Sequence, residues 1–106
     1  SGGQLQRAGI CRALINDPGI VFADEPTGAL NSATALQILD LLGEIHASGT
    51  TLVMVTHDSQ VAARADRVLV LVDGQIKEDL LLGRYEEADG PSRLTTVTEA
   101  LQRHSV

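Results

Sequence analysis

Four apolar residues, Ile20-Val21-Phe22-Ala23, run into two adjacent acids, Asp24 and Glu25, and Pro26 and Gly28 then break the run. A short apolar run between turn residues reads as a buried parallel strand, because both faces of such a strand meet other elements. Two acids at its end are costly unless they meet a metal, a donor or water. Ligands of open α/β sheets gather at the carboxyl ends of the strands. The placement therefore points to a site, with a solvated Asp-Glu at a loop start as the plainer alternative.

The rest of the chain repeats this punctuation. Residues 4–15 read as a helix with an apolar face from Leu5, Ala8, Cys11, Leu14 and Ile15. Cys11 on that face reads as buried filler, and a lone cysteine excludes an internal disulfide. Ser1-Gly2-Gly3 stands at the helix amino end, where backbone N–H groups and the dipole favour an anion; a plain serine cap with flexible glycines is the alternative. Asn31 or Ser32 caps a helix over 32–47, with Ala35, Ile38, Leu39, Leu42 and Ile45 facing the core and Gly49 ending it. Leu52–Val55 is a second buried strand, and it delivers Thr56-His57-Asp58 to the same edge as Asp24-Glu25. A short helix over 59–64 follows, capped by Asp58, then a strand over 68–72. Asp73-Gly74 signals a hairpin returning through Gln75–Glu78. Residues 79–91 read as a polar loop, and 93–103 as an amphipathic helix using Leu94, Val97 and Leu101. His46 and His104 read as surface residues.

Net charge is −6 over 106 residues, with one Tyr, one Phe and no Trp, a poor composition for binding nucleic acid. No apolar run reaches the roughly 20 residues that span a bilayer.

Four motifs in order resemble the ATP-binding-cassette (ABC) ATPases. Ser1-Gly2-Gly3-Gln4 is similar to their signature, and the Ile20–Glu25 stretch to their Walker B motif. Thr27-Gly28-Ala29-Leu30-Asn31-Ser32 is similar to the D-loop, and Thr51 to Asp58 to the strand and switch histidine. The stretch Ala23 to Leu30 resembles the lipoprotein-release and macrolide-export branch, and Asn31-Ser32 and Gly83-Arg84-Tyr85-Glu86 its antimicrobial-peptide resistance members. The resemblance covers residues 1 to about 78. It implies an α/β P-loop NTPase (RecA-like) parallel sheet flanked by helices.

No Gly-x-x-x-x-Gly-Lys-Ser/Thr occurs in the 106 residues, so the chain is expected to be the carboxyl-terminal half of a nucleotide-binding domain, lacking the P-loop strand. Residues 1–78 would be that half and 79–106 an appended loop and helix. The Ile20–Ala23 strand is expected to pair in parallel with Leu52–Val55, and the resemblance puts the P-loop strand between the latter and Val68–Val72.

The resemblance also implies roles. Asp24 holds Mg²⁺, suiting a hard cation that keeps several waters. Glu25 is the general base for the attacking water, and His57 contacts the γ-phosphate and orients Glu25. Ser1, Gly2, Gly3 and Gln4 contact ATP held by a second ATPase subunit in a head-to-tail dimer. Asn31 takes a D-loop position where most of the family has Asp; it keeps hydrogen bonds and loses the charge. ATP hydrolysis would drive a transmembrane permease from the cytoplasmic face of the membrane. A soluble ABC ATPase outside transport, or a non-enzymatic remnant, are the alternatives.

Overall fold

The structure, a computed structural model, describes residues 2–105. Contacts divide the chain into two compact units, Ser1–His57 and Asp58–Val106.

In the first unit the order is α1 (Gly2–Leu14), β1 (Ile20–Asp24), α2 (Ser32–Ala47) and β2 (Thr51–Val55). β1 and β2 pair in parallel, with Val21 opposite Leu52 and Asp24 opposite Val55, so both strands end at one carboxyl edge. The helix joining them is well bounded. Asn31 Oδ1 accepts a hydrogen bond from the Thr34 amide at 2.9 Å, satisfying an orphan donor of the first turn. At the far end Gly49 takes φ +109°, a conformation that suits a residue without Cβ. α2 buries Ile38, Leu42 and Ile45, against which Ile10 and Leu14 of α1 and Leu52 and Met54 of β2 pack.

The strands differ from the expected fully buried form. Val21 is buried and Ala23, Leu52 and Met54 are half-buried, whereas Ile20, Phe22, Val53 and Val55 are exposed. The period of two that any strand imposes thus separates one covered face from one open face within this unit. α1 also packs on a different face from the one its apolar residues suggest. Gly3 is buried and Gln6, Ile10 and Leu14 are half-buried, while Leu5, Ala8, Cys11 and Ile15 are exposed. Cys11 is therefore an exposed thiol rather than core filler, because it lies on the outward side of a helix held by residues 3, 6, 10 and 14.

The second unit contains α3 (Ser59–Ala62), β3 (Arg67–Val72), β4 (Gln75–Leu81), a 3₁₀ turn at Glu87–Asp89 and α4 (Gly90–Arg103). Asp58 Oδ1 caps α3 by accepting from the Gln60 amide at 2.9 Å. β3 and β4 form an antiparallel hairpin in a sheet of their own. Asp73 and Gly74 both have positive φ, 50° and 75°, the tight turn whose twist matches the strands. β4 runs on to Leu81, into the stretch read as a polar loop, because Asp79 pairs opposite Leu69 and its carboxylate takes a bidentate ion pair from Arg67. His104 is half-buried, not a free surface residue: its Nε2 lies 2.9 Å from Glu78 Oε2, and Arg103 grips the same carboxylate. The buried face of α4 is Arg93, Val97 and Ala100, with Leu94 and Leu101 half-buried beside it.

Arg93 is the polar centre of this unit. Its Nε donates to Ala63 O at 2.8 Å and its Nη2 to Ala65 O at 2.6 Å, just beyond α3. Its Nη1 faces the carbonyls of Leu82, Gly83 and Arg84 at 3.0, 3.1 and 3.3 Å. The guanidinium also lies 5.3 Å from the Tyr85 ring centre, and Arg64 lies 5.2 Å from that centre.

Candidate functional site

Because β1 and β2 end in register, the residues that follow them meet. The Glu25 amide donates to Val55 O at 2.7 Å, which continues the ladder by one step. Glu25 then takes φ +46°, an expensive conformation for a residue with a side chain and one that clusters at functional sites. The turn is held from several sides. The Gly28 amide donates to Glu25 O at 3.0 Å, Pro26 is fully buried, and Gln6 Nε2 of α1 donates to Pro26 O at 2.6 Å.

The Glu25 carboxylate is directed at the end of β2. Its Oε1 accepts from the His57 amide at 2.7 Å and lies 2.6 Å from His57 Nδ1. Its Oε2 accepts from the Thr56 hydroxyl at 3.0 Å. The carboxylate thus has donors on both oxygens, yet the His57 side chain is 93% exposed. The hydrogen bond to Glu25, followed by the Glu25 and Asp24 charges, raises the His57 pKa above its ordinary value. The same bond from His57 is the main cause that lowers the Glu25 pKa, with Thr56 and the His57 amide adding to it.

These directions define a pH window. His57, with a raised pKa, contributes to the folded state fully below the ordinary histidine value and loses that contribution as pH rises through the raised one. Glu25, with a lowered pKa, contributes above the ordinary carboxylate value and loses it as pH falls through the lowered one. The pair is intact between the two limits. NMR titration of the His57 ring is expected to give a midpoint above that of a free histidine, and Glu25→Gln is expected to bring it down. An unchanged midpoint in Glu25→Gln would show that the pair does not form.

Asp24 closes β1 as an exposed carboxylate beside Glu25. Among the described residues no group of three or more His, Cys, Asp or Glu side chains is placed to hold a metal ion. A single carboxylate nonetheless fits Mg²⁺, which keeps waters and completes its shell with substrate phosphates.

Gly2, Gly3 and Gln4 form the first turn of α1; Ser1 lies outside the described residues. A Cβ on Gly3 would strike Thr34 Cγ2, and one on Gly2 would come within 3.0 Å of Leu30 Cδ2. The two glycines thus let α1 lie closely on Leu30 and on the first turn of α2. Asn31 caps α2, as described. Glu25, Thr56 and His57 are brought together with Asp24 beside them. Thr56 and Gln6 also touch this turn, and the sequence carried only a faint signal for either, a hydroxyl after one strand and a glutamine on the side of α1 away from its apolar stripe.

No protein-family model matches the chain. It is 56% identical over 79 residues (74% of the chain, 12% of the relative) to the macrolide export ATP-binding/permease protein MacB of Rhodospirillum rubrum. It is 46% identical over 111 aligned positions (96% of the chain, 17% of the relative) to the protein of that name in Hyphomonas neptunium. Among solved structures it is similar to a dimeric ATP-binding cassette in a post-hydrolysis state bound to ADP and Pi, with TM-score 0.70 and 44% identity over 80% of the chain. A nucleotide-free cassette of an ABC transporter gives TM-score 0.75 and 27% identity over 93% of the chain. The chain spans 12–17% of the length of these curated relatives and 36–37% of the solved cassettes.

Proposed function

Because the chain belongs to the ATP-binding-cassette ATPases, we propose that residues 1–78 serve as the carboxyl-terminal half of a nucleotide-binding domain that binds and hydrolyses ATP, with residues 79–106 appended to it. The reading rests on one observation: the ends of β1 and β2 bring Glu25 and His57 into hydrogen-bond contact at one sheet edge, with Asp24 alongside.

In this reading Glu25 orients the attacking water and accepts its proton, and the His57 ring turns outward to hydrogen-bond the γ-phosphate. Asp24 would hold Mg²⁺, and the ion, when bound, would offset charge on the phosphates. Gly2, Gly3 and Gln4, with Ser1, offer the amino end of α1 to the ATP of a second subunit, since helix amino ends favour anions. Asn31 lies at the facing turn of that head-to-tail dimer. The relatives' names, which join ATP binding to a permease and to macrolide export, support a role in driving export or release of a substrate through a membrane permease, at the cytoplasmic face of the membrane. Among the described residues no helix is long and apolar enough to cross a membrane itself.

The test is a chimera in which residues 1–78 replace the matching stretch of the Rhodospirillum rubrum relative. It is expected to hydrolyse ATP with Mg²⁺. The 106 residues by themselves are expected to turn over none, because P-loop amides and lysine make most of the phosphate contacts. A folded chimera that binds ATP without hydrolysing it would sink the reading, as would Glu25-dependent turnover by the 106 residues alone.

A further inference from the structure

The His57 side chain is 93% exposed, whereas that of Glu25 is 36% exposed. Among the described residues the Glu25 carboxylate alone holds the ring, and any acceptor in solution competes for it. Two other donors reach the same carboxylate. One is the His57 amide, fixed by the backbone, at 2.7 Å from Oε1. The other is the Thr56 hydroxyl, 3.0 Å from Oε2, on a half-buried side chain at the end of β2. Threonine is stiff at χ1, so its hydroxyl has little rotamer freedom left to lose. Together the two donors grip both oxygens and do so without the ring.

We propose that Thr56 is a positioning residue: its hydroxyl keeps the Glu25 carboxylate aimed at the strand edge when the His57 ring leaves it. The inference deepens the proposed function and rests on it, since an aimed Glu25 matters only if Glu25 is the base. It gives the ring freedom to move to a phosphate while the base stays aligned, so that two adjacent residues of one strand end have opposite duties. Thr56 holds and His57 moves. Geometry of this kind counts because a base must sit within hydrogen-bond reach of the proton that it takes.

The experiment needs no nucleotide. Amide hydrogen exchange of residue 57 is followed by NMR, at fixed pH, in the 106-residue chain and in variants. Thr56→Val keeps the shape and removes the donor; it is expected to speed exchange at residue 57 by about 10- to 100-fold, in line with the loss of a hydrogen bond to a charged group. Thr56→Ser is expected to restore protection. His57→Ala, which keeps the amide and lacks the ring, is expected to stay protected, and the double variant His57→Ala, Thr56→Val to lose protection. The Thr51 amide, which donates to Gly19 O at 3.1 Å, reports on the opposite end of β2 and is expected not to change. Unchanged exchange at residue 57 in Thr56→Val, equal acceleration at residues 51 and 57, or failure of serine to rescue would overturn the inference. Failure of the general-base reading shows separately, as full ATP turnover in a Glu25→Gln chimera, and leaves the exchange result standing.

Discussion

Arg93→Met is expected to unfold the Asp58–Val106 unit, or to leave it so marginal that far less denaturant melts it. Arg93 is 6% exposed, and its three guanidinium nitrogens serve the carbonyls of Ala63, Ala65, Leu82, Gly83 and Arg84. Methionine fills much of the same volume and serves none of them. A buried acceptor left unpaired costs about 1–3 kcal/mol, and water will reach some of these carbonyls, so a net loss of about 3–5 kcal/mol is expected. That is comparable with the whole stability of a small domain, about 5–15 kcal/mol. Arg93→Lys should fall between, because one ammonium cannot span acceptors that the planar fork reaches together. Urea melting followed by circular dichroism, with amide exchange in β3 to localise the effect, measures it. A change within about 0.5 kcal/mol, typical of surface substitutions, would show that the carbonyl contacts contribute nothing.

Glu25→Gln is expected to lower kcat for ATP in the chimera by about 10²–10⁴-fold, the range for loss of a general base, with ATP binding retained. The substitution is nearly isosteric. A glutamine oxygen still accepts from the Thr56 hydroxyl or from the His57 amide, so the turn at residue 25 keeps one of these two anchors. What glutamine cannot do is take a proton. The variant should therefore hold ATP without turning it over, visible as nucleotide that co-elutes with the protein. Glu25→Ala removes the anchors as well and should also loosen the end of β2. Turnover within tenfold of the parent in Glu25→Gln would mean that another group takes the proton.

Where structure is written in local chemistry, the sequence was sufficient. Asn31 and Gly49 mark the ends of α2, and the Asp73-Gly74 pair selects the hairpin turn, because capping and positive φ depend on single residues. The meeting of Asp24-Glu25 with Thr56-His57 follows from two apolar runs ending in register. Other features depend on what comes close, which no short window records. On α1 two stripes overlap at helical spacing; the apolar one, through Leu5, Ala8 and Cys11, faces outward. The one that packs includes Gly3, whose missing side chain admits Thr34, and Gln6, whose amide reaches Pro26 O. Arg93 was hidden for a related reason. A charge on an amphipathic helix reads as surface, and the backbone carbonyls that pair with it leave no signature in side-chain order. The grip of Thr56 on Glu25 spans 31 positions in the chain and becomes visible only once the two strands are side by side.

The two small sheets also differ in the time at which each can form. β3 and β4 are joined by the Asp73-Gly74 turn alone, so their first contacts close a very short loop. Hairpins of this kind form in about 1–10 μs. β1 and β2 run parallel, and the whole of α2 lies between the end of β1 at Asp24 and the start of β2 at Thr51. That loop must be closed and its helix folded before the first parallel bond offsets the lost entropy. The edge that carries Glu25 and His57 is therefore expected to be the later part of the chain to assemble, after residues further along have already paired.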